Sequence, residues 1–201
     1  MRRALLAVTS KRNWLLALSG VVMALDAGVA HGKECAGVSL PDQAEVNGSR
    51  LRLNGLGLRQ ATMLRVNVYV AALYVAEPSR DADAILGSKA PKQLVLHFVR
   101  NVGAADLSKA WDEGFASNAK DQVPALKERI ETLKAWMGDV KSGERIAFTH
   151  LPGAGTQVDV SGTTKGTVKG DDFARAFLSI WLGAHPPNSG LKTGILGGAC
   201  P

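Results

Sequence analysis

The sequence predicts an α+β domain in which helices lie on one face of an antiparallel sheet. Three observations carry this. Strand patterns fall into two groups, residues 38–99 and 144–169, with helical patterns between and after them. Each predicted helix has a single apolar stripe, as a helix lying on a sheet requires. Residues 51–76 read as two long antiparallel strands, adjacent in sequence.

Residues 1–30 have the three parts of a secretory signal. Arg2, Arg3, Lys11 and Arg12 make a basic region, residues 14–25 an apolar core, and Gly28 and Ala30 the small residues at the cleavage positions. That core is shorter than the about 20 residues of a spanning helix, and no later stretch is long enough. The expectation is an exported chain, periplasmic or secreted, with no stable transmembrane anchor after cleavage; an uncleaved amphipathic terminus is the alternative. Residues 31–201 then suffice for one domain with a substantial core.

The signal holds four of the 24 Lys and Arg and one of the 18 Asp and Glu, so the net charge falls from +6 to +3 without it. The remaining charges are scattered, with no basic run and no interleaved aromatics, which argues against a nucleic-acid partner. Cys35 and Cys200 are the only cysteines. In an oxidising compartment they would pair and staple the ends of the domain; otherwise they are two free thiols on terminal segments. His31, His97, His150 and His185 share no ligand spacing with either cysteine, so no metal site is indicated.

An extended lead over residues 38–46, broken by Pro41, ends at the turn signal Asn47-Gly48. In residues 51–76, Val66, Val68 and Val70 alternate with Arg65, Asn67 and Tyr69, and the run then turns wholly apolar. Gly55 and Gly57 sit inside the preceding strand, marking a bulge or a place where something approaches the backbone closely. If the hairpin centres near Leu64, Arg59 faces Tyr69. Residues 79–87 read as a short capped helix, and residues 93–99 as a central strand covered on both sides.

Two amphipathic helices follow. Leu107, Trp111 and Phe115 stripe the first; Leu126, Ile130, Leu133 and Met137 stripe the second, which Gly138 ends. Residues 144–151, 156–160 and 163–169 form a meander joined by Pro152-Gly153-Ala154-Gly155 and Ser161-Gly162. Asp171 or Asp172 caps a last helix with Phe173, Phe177, Ile180 and Trp181 inward and Gly183 at its end. Pro186, Pro187 and a closing segment over residues 191–198 finish the chain.

Several chemistries are excluded. Gly55 and Gly57 do not extend to a dinucleotide fingerprint, because position 60 is Gln and no βαβ unit surrounds it. There is no G-x-S-x-G elbow, and the glycines at 153 and 155 precede neither a Lys-Ser or Lys-Thr pair nor a helix. His97 and His150 lie in strands with apolar neighbours, where a satisfied core histidine is commoner than an acid or base. Trp111, Trp136 and Trp181 are most simply core, and Lys165 most simply faces water.

Against this background the sequence resembles the chalcone isomerase fold family, in particular its exported bacterial chalcone isomerase-like branch. The likeness spans about residues 50–198. It is carried by Asn54, Gly55, Leu56, Gly57, Leu58 and Arg59, then VNVYVAALYV over residues 66–75 and Phe98, Val99, Arg100 and Asn101. Trp111 with Gly114, Phe115 and Asn118, the PGAGT run at 152–156, and the run at 166–183 complete it.

The resemblance implies an open-faced β-sandwich, with the ligand in a cleft between the sheet and its helical layer. Plant members close a chalcone into a flavanone without a cofactor, and other members bind fatty acids without catalysis. Both uses depend on the arginine of a G-x-G-x-R motif, which here is Gly55, Gly57 and Arg59. A permanent cation in an apolar cleft can hold a carboxylate bidentately or stabilise a phenolate or enolate. Tyr69 falls where the isomerases carry threonine and the fatty-acid binders carry tyrosine. The tyrosine and asparagine that the isomerases present from a helix align with Leu107 and Gly114, with Asn118 as a shifted substitute, and Lys165 replaces a threonine.

The site so implied is Arg59 and Tyr69, catalytic if the protein is an enzyme, with Gly55, Gly57 and Asn118 as further ligand contacts and no cofactor. The ligand would be small, amphiphilic or aromatic. The leading expectation is binding of a fatty acid or similar carboxylate; the alternatives are an intramolecular lyase acting on a phenolic enone, and a structural or partner-binding envelope protein.

Overall fold

The computed structural model describes residues 32–200, so the expected signal over residues 1–30 lies outside them. The main sheet has seven strands: β3 (Gln43–Val46), β4 (Ser49–Ala61), β5 (Val66–Val75), β6 (Lys92–Phe98), β7 (Arg145–Leu151), β8 (Gly155–Val160) and β9 (Thr163–Val168). They lie side by side in chain order and every neighbouring pair is antiparallel. A separate hairpin precedes them, β1 (Gly32–Cys35) and β2 (Val38–Pro41). The expected α+β class, an antiparallel sheet with a helical layer, is what the chain forms.

The β3–β4 turn shows how local chemistry sets register. Asn47 and Gly48 both take left-handed backbone, with φ of 47° and 75°, and Val46 pairs with Ser49 across them. Such a turn twists with the strands and favours Asn-Gly. In β4 the pairing slips by one residue at Asn54 and again after Arg59. The first slip puts Leu51 and Leu53 on the same face as Leu56 and Leu58, joining Val70, Ala72 and Tyr74 in a core roofed by Cys35, Val38 and Leu40 of the β1–β2 hairpin. Gly55, Gly57 and Arg59 thereby face the helices.

The helical layer comprises α1 (Ala82–Gly87), α2 (Ala104–Asn118), α3 (Val123–Ala135), α4 (Asp171–Leu182) and α5 (Ser189–Ile195). Asp81 caps α1 by accepting from the backbone N–H groups of Asp83 and Ala84. Leu107, Trp111 and Phe115 of α2 and Leu126, Ile130 and Leu133 of α3 are buried, as their spacing predicts. The central element is α4, with Phe173, Phe177, Ile180 and Trp181 buried as expected. Phe177 lies 4.6 Å from Phe148 of the sheet and 5.0 Å from Trp181, centroid to centroid. A side chain at Gly114 of α2 would meet Ile180 at 2.7 Å, so the glycine lets α2 and α4 close on each other.

Four expectations need correcting. The strand over residues 93–99 is covered on one face only: Gln93, Val95 and His97 are half-buried because the β1–β2 hairpin roofs the β4–β5 side of the sheet and not this one. The second helix ends at Ala135 rather than at Gly138. Neither Asp171 nor Asp172 caps α4; Gly170 holds that position and the two carboxylates sit in the first turn. There they complement the helix dipole, and Asp172 takes a two-pronged ion pair from Arg129 at 2.7 Å on both prongs. Finally, the closing segment is a helix, α5, which two glycines and a length of seven residues conceal from periodicity.

Cys35 and Cys200 are joined in a disulfide with their Cα atoms 5.7 Å apart, tying the first hairpin to the end of the chain. Among the described residues no helix is long and apolar enough to cross a membrane.

Candidate functional site

The β4–β5 hairpin pairs Arg59 with Tyr69, as a hairpin centred near Leu64 predicts. Directly opposed residues of an antiparallel pair share a face, so both side chains point to the helical layer. The predicted spacing holds from Gly55 to Arg59 and shifts by one residue on either side, at the two bulges.

Arg59 and Tyr69 lie on the wall of a cavity of about 710 Å³ between the sheet and α2, α4 and the segment around Pro187. Its apolar lining is Val68, Leu96, Phe98, Leu107, Trp111 and Ile180, and Arg100, Asp106, Glu113 and His185 add polar groups. The volume falls in the range of small-molecule sites, about 300–1,000 Å³. Trp111 is therefore a wall of the cavity and does not fill it. Phe115 packs against Phe173 and Phe177, and Trp136 against Gly166.

Arg59 donates through Nη1 to the carbonyl oxygens of Gln60 and of Pro187, the latter at 2.9 Å. Among the described residues no carboxylate forms an ion pair with it. Among the described residues its Nε and Nη2 make no hydrogen bond within the protein and remain for another acceptor.

The Tyr69 hydroxyl accepts from Trp181 Nε1 at 3.0 Å, and its ring sits edge-on to Phe98 at 5.5 Å. Burial pushes the phenol up to about 12, against the smaller opposing pull of the Trp181 N–H and the Arg59 charge. Tyr69 is thus a neutral O–H donor at ordinary pH, beside a cation.

Tyr74, the only other tyrosine, is also pushed by burial up to about 12. Both phenols have folded values above the unfolded one of 10. Their contribution to stability is full below pH 10 and is lost as the pH rises toward 12. An alkaline titration followed by ultraviolet absorbance should show almost no phenolate at pH 10.5 in the folded protein. Half-ionisation near pH 10 with native circular dichroism would contradict the burial of both rings.

Gly55 and Gly57 do not line the cavity. A Cβ on Gly55 would stand 2.1 Å from the Gly194 carbonyl oxygen, and one on Gly57 2.2 Å from that of Leu191. What approaches the backbone so closely is α5, not a ligand, which corrects the reading of these glycines as ligand contacts. Asn54, at the bulge, fastens the same helix: its amide donates to Ile195 O at 2.7 Å while its oxygen accepts from Ser79 N at 2.7 Å. Gly57→Ala should therefore unseat α5 and cost about 1–3 kcal/mol, the scale of core overpacking. Chemical denaturation would measure it, and a loss below 0.5 kcal/mol would show that the helix moves freely.

Asn118 is likewise a structural residue. Its amide donates to Gly114 O and His185 O, each at 3.0 Å, and its oxygen accepts from His185 N at 2.9 Å. It stitches the end of α2 to the turn after α4, so it shapes the cavity rim without facing a ligand. His97 accepts from Arg145 Nε at 2.9 Å and pairs with Val70, on the face away from the cavity. Burial and the Arg145 charge hold its pKa below the usual histidine value. His150 lies 3.6 Å from Asp171 and opposite Lys92, also outside the cavity.

Sequence reasoning missed Asn188. Its amide donates to Leu58 O at 3.1 Å and its oxygen accepts from Gln60 N at 3.2 Å, so one side chain clamps both sides of the residue that carries the guanidinium. It sits at the start of α5, and only its place before the Ser189–Ile195 helix, itself unrecognised, could have marked it.

A model of the family described as chalcone isomerase-like matches residues 32–197. No curated protein sequence matches. Among solved structures, the crystal structure of AtFAP1, a fatty-acid binding protein of Arabidopsis thaliana, is similar with a TM-score of 0.59 and 19% identity, over 80% of this chain and 92% of that one. At that identity the likeness is one of fold.

Proposed function

This chain belongs to the chalcone isomerase-like family, and we propose that it binds a fatty acid or similar amphiphilic carboxylate, the head group on Arg59 and Tyr69 and the tail in the apolar cavity. One observation carries the reading: an arginine with no carboxylate ion-pair partner among the described residues, beside a buried neutral phenol, on the wall of a cavity that has one apolar side, Val68, Leu96, Phe98, Leu107, Trp111 and Ile180. A carboxylate can take two N–H bonds from the free donors of Arg59 and one O–H bond from Tyr69, which would satisfy both. The fatty-acid binding protein of similar fold lends support.

The isomerase reading has less behind it. Asn118, the substitute orienting amide, is spent on backbone groups, and Leu107 and Gly114 bring no hydroxyl or amide to the cavity. Loss of chalcone absorbance above the spontaneous rate, abolished in Arg59→Ala, would reverse that ranking. The disulfide Cys35–Cys200 supports an oxidising location, and so the periplasmic or secreted placement expected from the signal.

Native mass spectrometry of the purified protein, followed by calorimetric titration with dodecanoate, tests the proposal. Binding by the wild type and loss in Arg59→Ala is the expected result. No uptake of any long-chain carboxylate, or equal uptake by the variant, would overturn it.

A further inference from the structure

Met63 and Leu64 are the large apolar side chains left in solvent among the described residues, 100% and 86% exposed. They are consecutive, and they form the tip of the β4–β5 hairpin, the longest in the fold. Other turns of the same sheet are built from Asn47-Gly48 and Ser161-Gly162. At this tip Thr62 and Arg65 take the left-handed backbone instead, with φ of 63° and 52°, leaving Met63 and Leu64 between them. Apolar residues here add nothing to folding, since they touch no core.

The tip also adjoins the cavity, because Ala61 and Thr62 are part of its wall. The hairpin that ends in it holds no Asp or Glu over residues 49–76, and of its four arginines Arg65 stands at the tip, Arg59 faces the cavity and Arg50 and Arg52 lie at the opposite end of β4. The carboxylates at the cavity, Asp106 and Glu113, belong to α2.

We infer that this tip docks the protein on an anionic lipid surface, Met63 and Leu64 entering the acyl boundary and Arg65 meeting head groups, with the cavity mouth held at the surface. Two side chains on a narrow turn fall far short of the about 1,200 Å² that a stable protein interface needs, but they can be inserted between lipids singly. Arg65, the one charge in residues 60–67, adds attraction to anionic head groups. The inference rests on the amphiphile-binding reading of the cavity, since an apolar ligand taken from or given to a bilayer would then cross little water.

The test compares wild type with Met63→Ser/Leu64→Ser by sedimentation with vesicles of equal parts phosphatidylglycerol and phosphatidylcholine. The double variant should bind vesicles at least roughly tenfold more weakly, given what burial of two such side chains contributes. Its binding of dodecanoate in vesicle-free buffer should be unchanged. Leu64→Cys carrying an environment-sensitive fluorophore gives a readout local to the tip, and its emission should shift to the blue when vesicles are added. Equal vesicle binding by both proteins, no wild-type binding, an unmoved emission, or a wild-type dimer that the double variant splits would each overturn the inference. Vesicle binding that depends on the tip, in a protein that takes up no dodecanoate, would leave the docking standing and remove the carboxylate reading alone.

Discussion

Arg59→Ala should weaken binding of dodecanoate by on the order of a hundredfold or more while the protein stays folded. Truncating one member of a hydrogen-bonded charge pair in a sheltered site typically costs about 2–5 kcal/mol, and every 1.4 kcal/mol is about tenfold. Two bonds through Nη1, to the Gln60 and Pro187 carbonyls, hold the guanidinium at the cavity wall, so less side-chain freedom is lost when a ligand binds. Arg59→Lys should fall between, keeping the charge and losing the fork. Tyr69→Phe should cost less, about tenfold, because it removes one neutral donor and leaves the cation in place. A titration in which the alanine variant binds like wild type would mean that Arg100, also on the cavity wall, or the apolar lining alone holds the ligand.

Removing the disulfide should be the most destabilising change outside the core. The bridge joins residues 165 apart in sequence, and by the chain-entropy estimate closing so long a loop stabilises by about 5 kcal/mol. For a domain of this size that corresponds to a fall in Tm of about 10–20 °C for Cys35→Ser/Cys200→Ser. The loss should reach the site as well. Cys200 lies just beyond α5, and α5 seats on Gly55 and Gly57 and carries Asn188, which clamps Leu58 and Gln60 around Arg59. Carboxylate binding should therefore weaken in the double serine variant well below its melting temperature. A Tm within 3 °C of wild type would show that the β1–β2 hairpin and α5 hold their places through packing alone.

Much of this arrangement is legible in the residues themselves. The alternation of Val66, Val68 and Val70, the four-residue stripes of α2 and α3, and the Asn47-Gly48 turn each follow from the geometry of one element or one hairpin. The pairing of Arg59 with Tyr69 belongs to the same class, since a hairpin's register is set by its own strands and turn. Sequence periodicity could also mislead locally: Val95 and Val99 make β6 look covered on both faces, although its second face is half open.

The occupants of the space beyond each element are a different kind of fact. Gly55 and Gly57 announce a close approach, but a glycine does not say what comes near it, and the answer is a helix whose Asn188 is 130 residues from Leu58. Asn118 carries the same groups whether it faces a ligand or the His185 backbone, and only packing decides. By itself the sequence determined the long hairpin, the closing meander, the helix stripes and the cation opposite the phenol, because those are properties of neighbours along the chain. The tertiary structure alone decided that the glycines belong to α5, that Asn118 is a brace and that Arg59 faces an open cavity, because those depend on which distant surfaces meet.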